Sequence, residues 1–170
     1  MDLVLVSGGV RSGKSHFAES LLSLQHQDSW VYWATGQACD PEMAERIACH
    51  KASRPCGVLT VEEGFRALLA SGRLEEGDLG ERPLLLDNLG FCVMELLDDE
   101  IEPWMDRFST ILARRKGMTV VVTDEVGFGG VALSELGRRF ADRIGRWNQK
   151  LSREATQVYA VMMGCPIRLR

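Results

Sequence analysis

The sequence predicts an α/β domain in which a mostly parallel sheet is flanked by helices. Short, continuous apolar runs alternate along the chain with segments of helical periodicity, and no repeat or low-complexity linker interrupts this alternation. Continuous apolar runs are typical of strands buried on both faces, as in a parallel sheet. With 170 residues, 45% of them apolar and 26% charged, we expect one globular domain that covers residues 1–170.

Five segments are predicted to be strands because they are rich in β-branched, aromatic or leucine side chains and are followed by turn residues. They are Leu3–Ser7, Trp30–Thr35, Leu84–Asp87, Thr119–Thr123 and Val158–Met163. Ligands in such a sheet bind beyond the carboxyl ends of the strands. The polar and glycine-rich residues that follow these strands are therefore the first candidates for a functional site.

Helices are predicted between the strands, and the clearest begins near Ser134. Its apolar residues recur every three or four positions, the spacing of one helix face: Leu136, Phe140, Ile144, Trp147, Leu151 and Ala155. The other predicted helices cover 14–25, Pro41 to about Ser53, 62–70, and 91–116 with a break at Pro103.

The charge of the chain is unevenly distributed. The net charge of −4 argues against a general nucleic-acid-binding protein. Residues 138–170 nevertheless carry 8 Lys/Arg and only 2 Asp/Glu. Within the last helix these cations form a stripe of Arg139, Arg143, Arg146 and Lys150. This basic stripe could face a polyphosphate or an acidic neighbour, or it could be a solvated helix face.

Cysteine spacing and hydropathy predict a cytoplasmic protein. None of the five cysteines has the spacing of a zinc site or a redox pair, so reduced thiols are expected. No apolar run reaches the roughly 18 residues that a membrane span needs, and the N-terminal run does not resemble a signal peptide. We therefore expect no membrane span.

The first predicted strand runs into a phosphate-binding loop that matches G-x-x-x-x-G-K-[ST]. Its residues are Gly8, Gly9, Val10, Arg11, Ser12, Gly13, Lys14 and Ser15. Glycines allow successive backbone N–H groups to turn towards phosphate oxygens, and the following helix adds its positive N-terminal end. Lys14 would reach the β- and γ-phosphates, and the Ser15 hydroxyl would bind Mg²⁺.

A carboxylate at the end of another strand should complete the Mg²⁺ site. Asp87 closes the run Leu84–Asp87 and is the favoured candidate. Asp124 and Glu125, at the end of the run that begins at Thr119, are competitors, and Glu125 is also a candidate base for an acceptor hydroxyl.

A second set of candidates lies on the helix predicted from Pro41. Arg46, His50 and Arg54 are four residues apart, so one helix face would carry an imidazole between two guanidinium groups. Arginines can bind phosphate oxygens in a bidentate manner while a neutral imidazole attacks phosphorus. A solvated helix face would show the same spacing, so spacing alone leaves both interpretations open.

Taken together, these motifs resemble the bifunctional adenosylcobinamide kinase / adenosylcobinamide-phosphate guanylyltransferases of cobalamin biosynthesis. The loop 8–15 matches the family's G-G-[AV]-R-S-G-K-S, and residues 46–55 match R-I-x-x-H-x-x-x-R-P, the most specific segment. Residues 32–35 resemble Y-x-A-T, 123–127 resemble [ST]-N-E-V-G, and 145–149 match G-x-x-N-Q. The chain departs from the family pattern at Asp124, where Asn is usual, and at Val131-Ala132, where V-P is usual.

The resemblance implies a RecA-like fold, a homotrimer, and two reactions that use ATP or GTP with adenosylcobinamide and adenosylcobinamide phosphate. It implies that His50 becomes covalently guanylylated. The phosphate-loop motif itself makes Lys14 the second candidate catalytic residue. Besides the loop 8–15, the resemblance implies nucleotide contacts at Ala34, Thr35, Gly36, Lys51, Ala52, Ser53, Arg54, Glu62 and Asp87. Two alternatives remain open: a P-loop kinase with a single small-metabolite substrate, and a non-catalytic protein whose loops respond to bound nucleotide.

Overall fold

The computed structural model describes residues 2–26, 29–36, 45, 48, 57–96 and 98–170. Its strands are β1 (Leu3–Gly8), β2 (Val31–Ala34), β3 (Leu59–Val61), β4 (Leu84–Asp87), β5 (Thr119–Asp124), β6 (Gln157–Met162) and β7 (Cys165–Arg168). The helices longer than one turn are α1 (Lys14–His26), α2 (Phe65–Ala70), α3 (Gly77–Glu81), α4 (Leu89–Met94), α5 (Ile101–Arg114) and α6 (Glu135–Glu154). A short 3₁₀ turn, Asp98–Glu100, precedes α5.

The strands form one sheet in the order β3-β2-β4-β5-β1-β6-β7. Strands β1 to β6 pair in parallel, and only β7 is antiparallel, as the second strand of a hairpin with β6. This confirms the predicted mostly parallel sheet. The loop after β1 therefore lies at the same sheet edge as the loops after β2, β4 and β5.

Apolar side chains cover both faces of the sheet, as continuous apolar strands require. Alternate residues of a strand point to opposite faces, so Leu3 and Leu5 join one core while Val4 and Val6 join the other. The first core is covered by α2, α4, α5 and α6 and includes the ring cluster around Phe65. In the second core, α1 packs through Ala18 and Leu22.

The predicted break at Pro103 is wrong. The helix is interrupted before α5 instead, and Pro103 lies in the first turn of α5. A proline is tolerated there because an N–H in the first turn has no partner within the helix. The strands β3 and β7 and the short helix α3 were not predicted from sequence, since β3 has only three residues and β7 is exposed along its length.

The prediction for α6 is largely confirmed. Ser134 is its N-cap, with its Oγ accepting a hydrogen bond from the Gly137 N–H at 3.1 Å. Ile144, Trp147 and Leu151 are buried in the first core, whereas Leu136 is 74% exposed, so the apolar stripe is not buried at its first turn.

The basic stripe of α6 faces acidic side chains of the same chain. Arg139 and Arg143 pair with Asp98, Arg146 with Glu102 and Lys150 with Asp106. The stripe thus has acidic neighbours in the 3₁₀ turn and α5, and it is also partly solvated, since Arg139 and Arg146 are 56% and 68% exposed. Exposed pairs of this kind contribute little individually to the free energy of folding.

Arg115 is a cation in the interior and is only 4% exposed. Its guanidinium donates to the carbonyl oxygens of Leu74 at 3.0 Å, Leu79 at 2.7 Å and Arg82 at 2.7 Å, and to Thr119 Oγ1 at 3.0 Å. Burial lowers its pKa to about 10, which leaves it charged at neutral pH. The side chain thus joins the end of α5 to the segment around α3.

We expect Arg115→Leu to lower the free energy of unfolding by about 3 kcal/mol, because buried carbonyl oxygens lose their donors. Urea denaturation followed by circular dichroism measures this change. The matched control is Arg114→Leu, which removes an adjacent arginine whose side chain is 67% exposed and paired with Glu75; its expected effect is about 0.5 kcal/mol. Equal losses in both variants would contradict the structural role assigned to Arg115.

Within the part of the chain that the structure describes, no helix combines the length and the apolar character that crossing a membrane requires.

Candidate nucleotide-binding site

The phosphate-binding loop joins β1 to α1. Two of its residues have left-handed backbone angles, Arg11 with φ 55° and Gly13 with φ 92°. A Cβ on Gly8 would lie 2.5 Å from Ser12 Oγ and 2.7 Å from the Val161 carbonyl oxygen, so only glycine fits there. The N–H of Phe17 donates to the Gly13 carbonyl at 3.0 Å and continues the helix from the loop. This backbone forms the cradle that the sequence motif predicts.

The turn between β6 and β7 supports the loop from one side. The Gly164 N–H donates to the Ser12 carbonyl oxygen at 2.9 Å. A Cβ on Gly13 would lie 3.3 Å from Gly164 Cα. The two glycines let the chains approach closely, and their contact fixes the loop against the sheet.

Ser15 and Asp87 meet at the start of α1. Ser15 Oγ donates to Asp87 Oδ1 at 3.0 Å, and the Tyr32 hydroxyl donates to Asp87 Oδ2. Thr35 Oγ1 donates to the carbonyl oxygens of Asp87 and Asn88, both at 2.7 Å, and so ties the end of β2 to the end of β4. The carboxylate is therefore held in place by three elements, α1, β2 and β4.

Strand β4, which carries Asp87, is not next to β1, because β5 lies between them. The structure nevertheless places the Asp87 carboxylate against the loop serine, because α1 packs across this part of the sheet, with Ala18 and Leu22 in the same core as Leu85 and Val120. Of the three candidate carboxylates, Asp87 is the one that contacts Ser15.

The other two carboxylates have different partners. Asp124 Oδ1 lies 3.1 Å from Lys14 Nζ, which also donates to the Gly9 carbonyl oxygen at 3.1 Å. Glu125 Oε1 accepts the N–H of Gly127 at 2.8 Å and shapes the start of the following loop. Asp87 ends β4 and contacts the loop serine, whereas Asp124 ends β5 and contacts the loop lysine. Glu125 follows β5 and contacts the next loop.

The remaining predicted nucleotide contacts lie farther along the same sheet edge or outside the described residues. Ala34 pairs with Asp87 in the register of β2 and β4, and Thr35 and Gly36 follow directly. Glu62 follows β3, the edge strand four positions from β1. Val10 is 82% exposed at the tip of the phosphate loop. The residues outside the described ranges are Arg46, His50, Lys51, Ala52, Ser53 and Arg54.

Sequence reasoning missed two features of this site. The sequence motif that contains Tyr32 does not indicate that the hydroxyl of this buried residue donates to Asp87. The contact of Asp124 with Lys14 was also missed. Alternation along β2 could have indicated that Tyr32 shares a face with Ala34, but no local signal shows that β5 lies beside β1.

Comparison with known proteins agrees with this geometry. Residues 4–169 match the model of the family described as cobinamide kinase / cobinamide phosphate guanyltransferase. The bifunctional adenosylcobalamin biosynthesis protein CobP of Pseudomonas aeruginosa is 38% identical over 173 residues, covering 99% of this chain and 96% of that protein. The protein CobU of Salmonella typhimurium, which bears the same description, is 35% identical over 186 residues, covering 99% of each chain.

Solved structures with a similar fold have much lower sequence identity. A KaiC-like protein from Pyrococcus horikoshii superposes with a TM-score of 0.56 at 17% identity, covering 94% of this chain and 70% of its own. The flagellar accessory protein FlaH of Methanocaldococcus jannaschii superposes with a TM-score of 0.52 at 15% identity, covering 94% of this chain and 70% of its own. These structures confirm the predicted RecA-like P-loop fold. The family match and the full-length relatives show that this chain belongs to the cobinamide kinase / cobinamide phosphate guanyltransferase family.

Proposed function

We propose that this chain phosphorylates adenosylcobinamide and then transfers GMP from GTP to adenosylcobinamide phosphate through a GMP–His50 intermediate. The observation that carries the proposal is the Ser15–Asp87 hydrogen bond beside Lys14 at the head of α1, in a member of this family. The phosphates of a nucleoside triphosphate would bind in this cradle, where loop N–H groups, the helix N-terminus and Lys14 supply positive potential.

The donor set at the head of α1 fits Mg²⁺. Ser15 Oγ and the Asp87 carboxylate are hard oxygen ligands, and Mg²⁺ is usually bound by one or two such groups together with phosphates and water. No cluster of three or more His, Cys, Asp or Glu suited to a metal occurs among the described residues, so nucleotide phosphates would complete the coordination. The bound ion would neutralise charge on the β- and γ-phosphates.

In the kinase step, the acceptor hydroxyl of adenosylcobinamide attacks the γ-phosphorus, and the bond to the β–γ bridging oxygen breaks. The chain contributes orientation and electrostatic stabilisation: the loop backbone holds the phosphates and Lys14 neutralises the developing charge. Glu125, directly after β5, remains the candidate base for the hydroxyl proton.

In the guanylyl-transfer step, an imidazole nitrogen of His50 attacks the α-phosphorus of GTP and pyrophosphate leaves. A phosphate oxygen of adenosylcobinamide phosphate then displaces the imidazole and forms adenosylcobinamide-GDP. Dividing the transfer in this way is nucleophilic catalysis. Lys51, Ala52, Ser53, Arg54 and Glu62 are proposed contacts to the guanosine and its α-phosphate.

The loop after β5 offers a surface for the corrinoid acceptor. Phe128, Val131 and Leu133 are 84–99% exposed. The loop is nevertheless anchored, because Gly127 donates to Glu125 at its start and Arg138 donates to the carbonyl oxygens of Ala132 at 3.0 Å and Leu133 at 2.8 Å near its end. An anchored loop that exposes large apolar side chains is typical of a binding surface. Because it begins beside the contact of Asp124 with Lys14, a corrin ring bound there would lie next to the phosphate site.

We therefore expect Phe128→Ser to raise the KM for adenosylcobinamide about tenfold in the kinase reaction while the KM for nucleotide stays unchanged, since burying a phenyl ring contributes about 1.5–3 kcal/mol. Steady-state kinetics with each substrate varied in turn measures both constants. Leu24→Ser is the matched control, because Leu24 is 84% exposed on α1. An unchanged KM for adenosylcobinamide in Phe128→Ser would show that this loop does not bind the corrinoid.

The proposal has three further features, of which the assembly and the nucleotide use come from the family resemblance and the location comes from cysteine spacing and hydropathy. They are a homotrimeric assembly, a cytoplasmic location and the use of ATP or GTP as phosphoryl donor. Light scattering on the purified chain tests the homotrimeric assembly. Parallel assays with ATP and GTP test which nucleotide is the phosphoryl donor.

The whole proposal is tested by incubating the chain with adenosylcobinamide, GTP and Mg²⁺ and following products by mass spectrometry. Adenosylcobinamide phosphate should appear first and adenosylcobinamide-GDP second. Phosphorylation without any guanylylated product or protein adduct would indicate a kinase with a single reaction. Nucleotide binding without transfer to the corrinoid would indicate a non-catalytic nucleotide-binding protein.

A further inference from the structure

The P-loop lysine is paired with a carboxylate. Lys14 Nζ lies 3.1 Å from Asp124 Oδ1, and the two side chains are only 13% and 21% exposed. Screening by water is weak for a pair this shielded, so the interaction is stronger than an exposed surface ion pair. The ammonium that should hold phosphate is already paired.

The backbone of Asp124 is held in place by contacts with neighbouring elements. Asp124 lies opposite Gly8 in the register of β5 and β1, and the next N–H, of Glu125, donates to the Gly8 carbonyl oxygen at 3.1 Å. Asn148 Nδ2 donates to the Asp124 carbonyl oxygen at 3.2 Å and is itself held by Thr123. These contacts connect β1, β5 and α6 directly behind the carboxylate.

The carboxylate also lies close to Gly90 at the start of α4. A Cβ on Gly90 would lie 3.2 Å from Asp124 Oδ2 and 2.9 Å from Asn88 Oδ1. Within the described residues, Asn88 Oδ1 is buried and has no hydrogen-bond donor. The carboxylate thus occupies space that a side chain at residue 90 would fill.

We propose that Asp124 is a positioning residue that competes with the nucleotide phosphates for Lys14 and so sets the nucleotide affinity of this chain. A triphosphate must take the lysine from a carboxylate whose backbone is held in place. The binding free energy that Lys14 contributes to nucleotide binding is therefore reduced by the cost of separating Lys14 from Asp124. Asp87 differs, because its partners are hydroxyl groups and its proposed role is to bind the metal.

Asp124→Asn tests the inference because it keeps the shape of the side chain and the backbone contacts while removing its charge. We expect the variant to bind Mg²⁺-GTP about tenfold more tightly, the size of a shielded ion-pair effect. Isothermal titration calorimetry without corrinoid measures this affinity. A gain in affinity cannot result from damage to the fold, and Asp124→Ala should give a gain in the same direction.

A double-mutant cycle with Lys14→Ala separates competition for the lysine from simple repulsion of phosphate. In the Lys14→Ala background, Asp124→Asn should change GTP affinity less than about twofold if Asp124 acts through Lys14. Asp78→Asn, at an exposed acid paired with Arg82, controls for net charge and should leave the affinity unchanged.

Three results would overturn the inference. An equal gain in both backgrounds would show direct repulsion of phosphate, an unchanged affinity would show that the pair does not compete, and weaker binding would show that Asp124 helps to hold Mg²⁺-GTP. The inference rests on the proposed function only in taking GTP as a ligand. Because binding is measured without corrinoid, a failure of the corrinoid chemistry would leave this test intact.

Discussion

Replacing His50 with alanine is expected to abolish the formation of adenosylcobinamide-GDP while leaving phosphorylation of adenosylcobinamide within about twofold of the parent rate. The reason is chemical: the proposed guanylyl transfer needs a nitrogen nucleophile at the α-phosphorus, whereas the kinase step transfers the γ-phosphoryl group directly to a hydroxyl. Loss of a covalent nucleophile typically reduces turnover by several orders of magnitude.

The measurement uses GTP labelled at the α-phosphorus and the chain denatured after mixing. Label should remain on the parent protein, be released by acid and survive alkali, as a phosphorus–nitrogen bond to histidine does. His16→Ala is the matched control, because His16 is an exposed histidine directly after the phosphate-loop serine. Labelling that persists in His50→Ala would identify another nucleophile, and loss of labelling in His16→Ala alone would place it at the loop.

Local patterns predicted the fold well where short-range forces determine structure. The phosphate loop could be identified because its glycines, Lys14 and Ser15 are adjacent in sequence, and the start of α6 could be identified from Ser134. The prediction for 91–116 is wrong in the position of the break, because the helix is interrupted before α5 and not at the proline. Pro103 fits the first turn of a helix as well as it fits a break, and sequence alone cannot separate the two.

The sequence predicted individual residues of the candidate site but not the contacts between them. Asp87 was favoured because it ends an apolar strand, and the structure places it against Ser15. The contact of Asp124 with Lys14 depends on the order of strands in the sheet, which is decided by packing between residues far apart in the chain. The acidic partners of the basic stripe depend in the same way on how α5 packs against α6.

Lys14→Ala is expected to reduce both activities by about a thousandfold, since both reactions are proposed to bind the triphosphate in one cradle and removal of one preorganised charge stabiliser costs about 10²–10³ in turnover. The measurement is the rate of each half-reaction: phosphorylation of adenosylcobinamide with ATP, and guanylylation of supplied adenosylcobinamide phosphate with GTP. Lys116→Ala is the control, because that lysine is 79% exposed and remote in sequence from the loop. A variant that loses phosphorylation and keeps guanylylation would show that the two reactions use different nucleotide sites.

The same substitution leaves Asp124 with no ammonium beside it, so part of the loss in Lys14→Ala could reflect a less stable fold. The double variant Lys14→Ala with Asp124→Asn resolves this, because it removes the shielded negative charge together with its partner. Thermal unfolding without nucleotide should show the double variant to be more stable than Lys14→Ala alone, while both activities remain lost. If activity returned together with stability, Lys14 would be needed for the fold of the loop and not for the chemistry of phosphate transfer.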